Sequence, residues 1–405
     1  MRKHGWWTGG LAVLLIAGMA QGQVTTEQSA SILVFPKVVS DGTRDTVIQI
    51  TNTSNSTVHA HCFYVNGALT FPELPAGPSN PPLWIEVDFD IWLTKQQPTH
   101  WVVSQGRLVD ATDAPCTNNA LPQPEGSEGQ ADSDLWPNGL ACNGAGLDPG
   151  RVPPVVEYFT GELKCIEVDP SGAPLSGNHL KGEATTTTFN VCDPITDRCV
   201  LQPILGCAID SDCDSSIQDV AKYNALGVIG NENNDGDPVL CLGGEPSEAC
   251  PNGAEYDACP QTWIANHWAE GAAPIQDEDS DISTSWTIVP CTQNFETQAP
   301  ESVTIFLETW NEFEQAFSSF TTVTCWDEQT LEEINSSVLS YSGALGTHFA
   351  QSRLRPSSQT RSGFMMVGAE TWRAFGVAST ADVNYHVEGA RAAADLITIP
   401  FDQVN

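Results

Sequence analysis

Two histidines on one short run, His59-Ala60-His61-Cys62, are the residues in this chain whose spacing best suits a transition metal. On an extended backbone His59 and His61 project from the same face, close enough for both imidazoles to share one zinc or copper ion. A complete site needs a third ligand, and only the fold can bring it, from His100, His179, His267 or His386. The plainer alternative is a solvent-facing pair, with Ala60, Cys62 and Tyr64 packed inward.

Oxygen ligands recur at alternate positions in two places. Asp210, Asp212 and Asp214 form one set, and Asn231, Asn233, Asp235 and Asp237 form the other. The second follows the first half of an EF-hand loop, with Gly236 at its sixth position. Leu242 stands where a bidentate Glu is required, so a shorter calcium-stabilised loop, or an ordinary acidic turn, is expected. Asp277, Asp279 and Asp281 repeat the pattern more weakly.

Glu86, Asp88 and Asp90 make a third set, about 7 Å apart along a strand and flanked by Trp84 and Trp92. Paired carboxylates at such separations serve glycoside hydrolysis, and indole rings serve sugar stacking. In so acidic a chain an exposed polar face is the simpler reading, with the odd-numbered apolar residues buried. Asn311-Glu312-Phe313-Glu314 looks like the acid/base segment of some glycosidases, but those sites sit on βα barrels and no βα alternation is present. There is no G-x-S-x-G, no H-E-x-x-H and no phosphate-cradling glycine loop.

The elements that must position these groups are strands. Ile32–Val38, Thr46–Ile50 and Val58–Val65 are apolar or β-branched runs separated by the turn clusters SDGTRD and TNTSNS. From Leu83 to Leu93 apolar residues alternate strictly with polar or indole ones, which a helix would scatter around its circumference. Thr99–Val109 is expected as its hairpin partner. Strand texture returns at 155–168 and 179–191, and again in Ile282–Cys291, Ser302–Trp310, Phe317–Trp326, Gly363–Gly368, Asp382–Val387 and Leu396–Phe401.

The expected fold is all-β: two antiparallel Ig-like β-sandwiches joined by a Cys-rich, acidic loop region. Residues 1–22 read as a signal peptide, with Arg2 and Lys3 before a short apolar core. The first sandwich is placed at 23–192, with a loop insert at about 113–154 bracketed by Cys116 and Cys142. The connecting region is 193–260, and the second sandwich 261–405.

Charge and cysteine content narrow the function. The 405-residue chain holds 51 Asp and Glu against 16 Lys and Arg, for a net charge of −35. That excludes nucleic acid and disfavours anionic membranes, since both need compensating cations. Thirteen cysteines fit an oxidising compartment, and the odd number leaves one thiol over or pairs it between chains. No later apolar stretch is long enough to span a bilayer as a helix.

The segments SILVFPKVVSDGTRDTVIQITNTSN, HAHCFYVNG, LWIEVDFDIWLTKQQPTHWVVSQGR and NEFEQAFSS resemble a group of exported bacterial proteins without an assigned activity. That resemblance implies export from a bacterium and brings no site residues with it. The expected function is a non-catalytic secreted or cell-surface structural or adhesion protein, extracellular or periplasmic, with calcium as its one candidate cofactor. Its partners would be other surface proteins, glycans or further copies of itself. The alternatives are a metal-binding protein or metalloenzyme using His59 and His61, and a carbohydrate-binding module using Trp84 and Trp92.

Overall fold

The computed structural model describes residues 24–70, 80, 82–107, 152–156, 158–193, 195–273, 280–298, 301–357, 362–387 and 395–400. The expected signal peptide, the Cys116/Cys142 pair, nearly all of the insert, and Asp277 and Asp279 lie outside the described residues.

The opening runs fold as the turn chemistry requires. β1 (Ile32–Ser40) turns into β2 (Arg44–Asn52) where Asp41 Oδ1 accepts from the backbone N–H groups of Thr43 and Arg44 and Gly42 takes φ +83°. β3 (Val58–Asn66), β4 (Ile85–Leu93), β5 (Pro98–Val102), β6 (Phe159–Val168) and β7 (Leu180–Phe189) follow. β1 touches β2 at a single pair, Ser40 with Asp45, so the sheet turns back on itself there. One arm holds β1, β6, β3 and β4; the other holds β2, β7 and β5. Phe35, Tyr64, Phe89 and Leu163 of the first arm meet Ile48, Ile50, Trp101 and Ala184 of the second in one core. The Cys62–Cys165 disulfide joins directly opposed residues of β3 and β6.

β5 is not the hairpin partner of β4; it pairs with β2, Val47 opposite Val102. The cause is Asn52, whose side-chain amide donates to the carbonyls of Leu93 and Thr94 while its backbone N–H donates to Gln97. The turn after β4 is thereby drawn to the end of β2.

The region expected as a connector is woven into both halves. β8 (Cys192–Asp193), β9 (Arg198–Cys199) and β10 (Gln202–Gly206) form a small sheet cross-linked by Cys192–Cys207 and Cys199–Cys213. β11 (Gln218–Asn224) then pairs with β7, and β12 (Leu226–Val228) with β1. β13 (Val239–Leu242), braced by Cys241–Cys250, belongs to the C-terminal half.

That half contains β14 (Trp263–Trp268), β15 (Asp281–Pro290), β16 (Gln293–Asn294), β17 (Ser302–Asn311), β18 (Ala316–Thr324), β19 (Asp327–Thr330), α1 (Leu331–Leu339), β20 (Phe349–Pro356), β21 (Phe364–Ala374), β22 (Val377–Val383), β23 (His386–Val387) and β24 (Asp395–Thr398). Its sheets run β18-β17-β20-β14-β23, β19-β15-β21-β22 and β13-β24-β16. Their core is continuous with the outer face of the first arm: Ile32, Val34, Phe63 and Ile166 pack with Trp286, Ile305 and Leu354 in one cluster. Both faces of β1 and β3 are therefore covered, which is why every residue in these strands is buried. Among the described residues no helix is long and apolar enough to cross a membrane.

Candidate functional site

His59 and His61 do share a face of β3, and their expected role is taken up internally. His59 Nε2 lies 2.7 Å from Asp90 Oδ1 and its Nδ1 2.9 Å from the Asp169 carbonyl, with the ring stacked on Trp92. His61 Nε2 lies 2.8 Å from Asp88, and its ring stacks on Phe63. The candidate third ligands are elsewhere. His179 pairs with Glu167, and His100 and His386 are exposed. His267 is sealed between Ser352 Oγ and the Trp268 carbonyl, where burial lowers its pKa to about 4. Among the described residues, the groups of three His, Cys, Asp or Glu ligand atoms within 4.8 Å of one another are built on disulfide cysteines, and none contains His59 or His61.

The carboxylate face of β4 is a correction. Phe89, Ile91 and Leu93 are buried as expected, but Leu83, Ile85 and Val87 are only half-buried, and Glu86 and Asp88 are buried instead (8% and 9% exposed). The histidines of β3 engage Asp88 and Asp90, and the C-terminal half closes over the same face. Phe295 stacks on Phe63 and Trp84, and Gln293 donates to Glu162, which also holds Lys164. Trp84 is itself buried and is not available as a sugar platform.

Each aspartate of the acidic turns places one carboxylate oxygen on a backbone donor. Asp212 Oδ2 accepts from Ala208 and Ile209, Asp210 from Cys192, and Asp214 from Ser216. In the second loop Asp237 accepts from Val239, Asp235 from Asp237 N–H and Asn252, and the Asn233 amide donates to Ala254. Asn231 donates its backbone N–H to Glu255.

A buried ionic cluster was not foreseen. In β1, Pro36 and Lys37 stand where β6 has only Glu162, an inserted residue that turns Lys37 toward the C-terminal half. Trp326 Nε1 donates to the Pro36 carbonyl, and the Tyr223 hydroxyl serves both backbone groups of Lys37. Lys37 Nζ reaches Glu328 at 2.9 Å and Asp382 at 3.5 Å, and Glu328 also meets Arg44 at 3.4 Å. Burial alone would lower the Lys37 pKa, but the two carboxylates hold it above its ordinary value. Burial would raise Glu328, yet Lys37 and Arg44 bring it down to about 2. The cluster borders a cavity of about 310 Å³ walled by Thr186, Thr371 and Thr380. The signal was the lone lysine in ILVFPKVVS.

With these groups turned inward, one surface that offers exposed aromatic side chains is the outer face of β18, β17 and β20. Its rows follow from register: Phe320–Phe306–Arg355, Ser318–Glu308–Arg353 and Ala316–Trp310–Gln351. Phe306 is 48% exposed, Phe320 65% and Phe313, in the turn between the strands, 73%. The inward face of the same strands buries Val303, Ile305, Leu307 and Val323. The readable clue was an aromatic at the polar parity of each strand, Phe306 among Thr304 and Glu308, and Phe320 between Ser318 and Thr322.

No family model matches the chain, and no curated protein matches it. Among solved structures, a chain of the cowpea mosaic virus top component, its naturally occurring empty particles, aligns over 96% of this chain and 100% of its own. The identity is 7% and the TM-score 0.15, a likeness that carries no argument.

Proposed function

We propose that this is an exported, non-catalytic structural or adhesion protein that works through the outer face of β18, β17 and β20. The observation that carries the reading is the exposed cross-strand pair Phe306 and Phe320, ring centroids 6.4 Å apart, on a strongly acidic molecule. Large exposed apolar patches mark interaction sites, because leaving them in water forgoes burial worth about 25 cal/mol per Å². The antiparallel sheets are read as two Ig-like sandwiches that share a core, and these serve as the scaffold. Five disulfides among the described residues support an oxidising compartment outside the cytoplasm.

The test is fractionation of the exporting cells. The protein should be retained with the cell surface or matrix, and Phe306→Ser with Phe320→Ser should release it to the medium with its melting temperature unchanged. Retention that ignores both substitutions would refute a role for this face.

A further inference from the structure

β18 is the terminal strand of the five-stranded sheet and pairs with β17 alone. From Ala316 to Val323, its backbone groups directed away from β17 have no protein partner among the described residues. Such an edge is a template for another strand, and proteins ordinarily guard it with charge or proline. The other long edges here are engaged or carry charge: β11 and β22 lie against each other, with Ser379 Oγ and Thr380 N–H donating to Asp219 and Asn224 bonded to Asn384, and β4 carries Asp90. β18, AFSSFTTVT, has no charged residue, no proline and no glycine, in a chain with 51 acidic residues. Its inward side is already satisfied, Ser319 by Asn335 of α1 and Thr321 by Gln329.

Resting on the reading that this face is where the protein makes contacts, we propose that β18 pairs edge to edge, antiparallel, with β18 of a second copy. Phe320 is the middle residue of the strand, so pairing about it sets Phe320 against its counterpart, Ser318 against Thr322 and Ala316 against Thr324. The outward faces of the two sheets then coincide, and the aromatic row extends as Phe306, Phe320, Phe320, Phe306. Hydroxyl and aromatic cross-strand pairs of this kind are favourable. A copy of the same strand matches length, parity and neutrality together. Two molecules at −35 each repel everywhere else, so association must use a neutral edge and must strengthen with salt.

The experiment uses the purified mature protein. Sedimentation velocity should show a dimer that grows from low salt to roughly 0.5 M NaCl, where the screening length is about 4 Å. Phe320→Cys should give a covalent dimer under mild oxidation, at least about tenfold more than Phe306→Cys, whose counterpart lies two strands further off. Phe320→Lys, at an exposed position, should leave the melting temperature unchanged and abolish the dimer. A monomer at every salt concentration, or equal cross-linking at positions 320 and 306, would overturn the pairing. If cross-linking succeeds while cells retain the Phe306→Ser/Phe320→Ser protein, the pairing stands and the adhesion reading fails. If cross-linking fails while retention depends on the face, the reverse holds.

Discussion

Replacing Lys37 by Met should destabilise the protein by about 3–5 kcal/mol at neutral pH, the range for stranding buried carboxylates by removing their partner. Lys37 is 3% exposed, and its ammonium stands between Glu328 and Asp382, which come from two different strands of the C-terminal half. After the substitution Glu328 keeps Arg44 at 3.4 Å, but no ion pair to Asp382 other than that from Lys37 is found among the described residues. Water in the adjoining 310 Å³ cavity can solvate the stranded groups in part, which argues for the lower end, near 3 kcal/mol. The pH dependence gives the sharper test. In the wild type Glu328 has a folded pKa of about 2, below its unfolded value, so its contribution is present above pH 4.5 and fades as pH falls toward 2. Without Lys37 the Glu328 carboxyl rises instead, that of Asp382, which burial already raises, goes further up, and protonation then favours the folded variant. The gap between the proteins should therefore be widest at pH 7 and shrink steadily below pH 4.5. Urea unfolding followed by tryptophan fluorescence measures it. Lys222→Met, which removes a half-exposed ion pair to Glu183 at 2.8 Å, serves as control and should cost no more than about 0.5 kcal/mol. A Lys37→Met effect below about 1 kcal/mol at pH 7, or one equal at pH 7 and pH 4, would refute the reasoning.

His267 is neutral when folded, with its pKa lowered to about 4 by burial, so stability should fall as pH drops from 6.5 toward 4. His267→Gln should flatten that part of the pH–stability curve, and an unchanged slope would count against it. Asp327, raised by burial to about 6, weighs in the opposite direction, so Asp327→Asn should stabilise at pH 8 more than at pH 5 in thermal melts. Cys325 is buried, forms no disulfide and has its pKa pushed up to about 12, so it should resist an aqueous thiol reagent until the protein unfolds. Because Asp210, Asp212 and Asp214 already accept backbone hydrogen bonds, millimolar calcium should move the melting temperature by no more than about 1 °C. A larger shift, lost in Asp212→Ala, would show that these turns rearrange around the ion.

Much of the strand order near the N-terminus was legible, because turn residues and β-branched runs act locally. Asp41, Gly42 and Asn52 set the first turns by bonds to their own neighbourhoods. The alternation in Leu83–Leu93 marked the buried face at Phe89, Ile91 and Leu93, while Leu83, Ile85 and Val87 are only half-buried. It could not show that a segment some two hundred residues later, around Gln293 and Phe295, covers the opposite face as well. The same blindness to distant chain placed Glu86 and Asp88 in water and made the 193–260 region a linker, although β11 and β12 complete the first sheet. Lys37 was missed for the same reason, since its carboxylates lie on β19 and β22. The His59/His61 pair was legible as a shared face, but which atoms meet the imidazoles depends on register with β4.

Hydrogen exchange of the protein while still held on the exporting cells, compared with the same protein released and monomeric, tests the role of the outer face most directly. Amides of β17 and β18, residues 302–324, should exchange at least about tenfold more slowly in the retained protein, with the β4 and β11 edges unchanged. Equal exchange of 302–324 in both states, with new protection at β4 or β11, would contradict it.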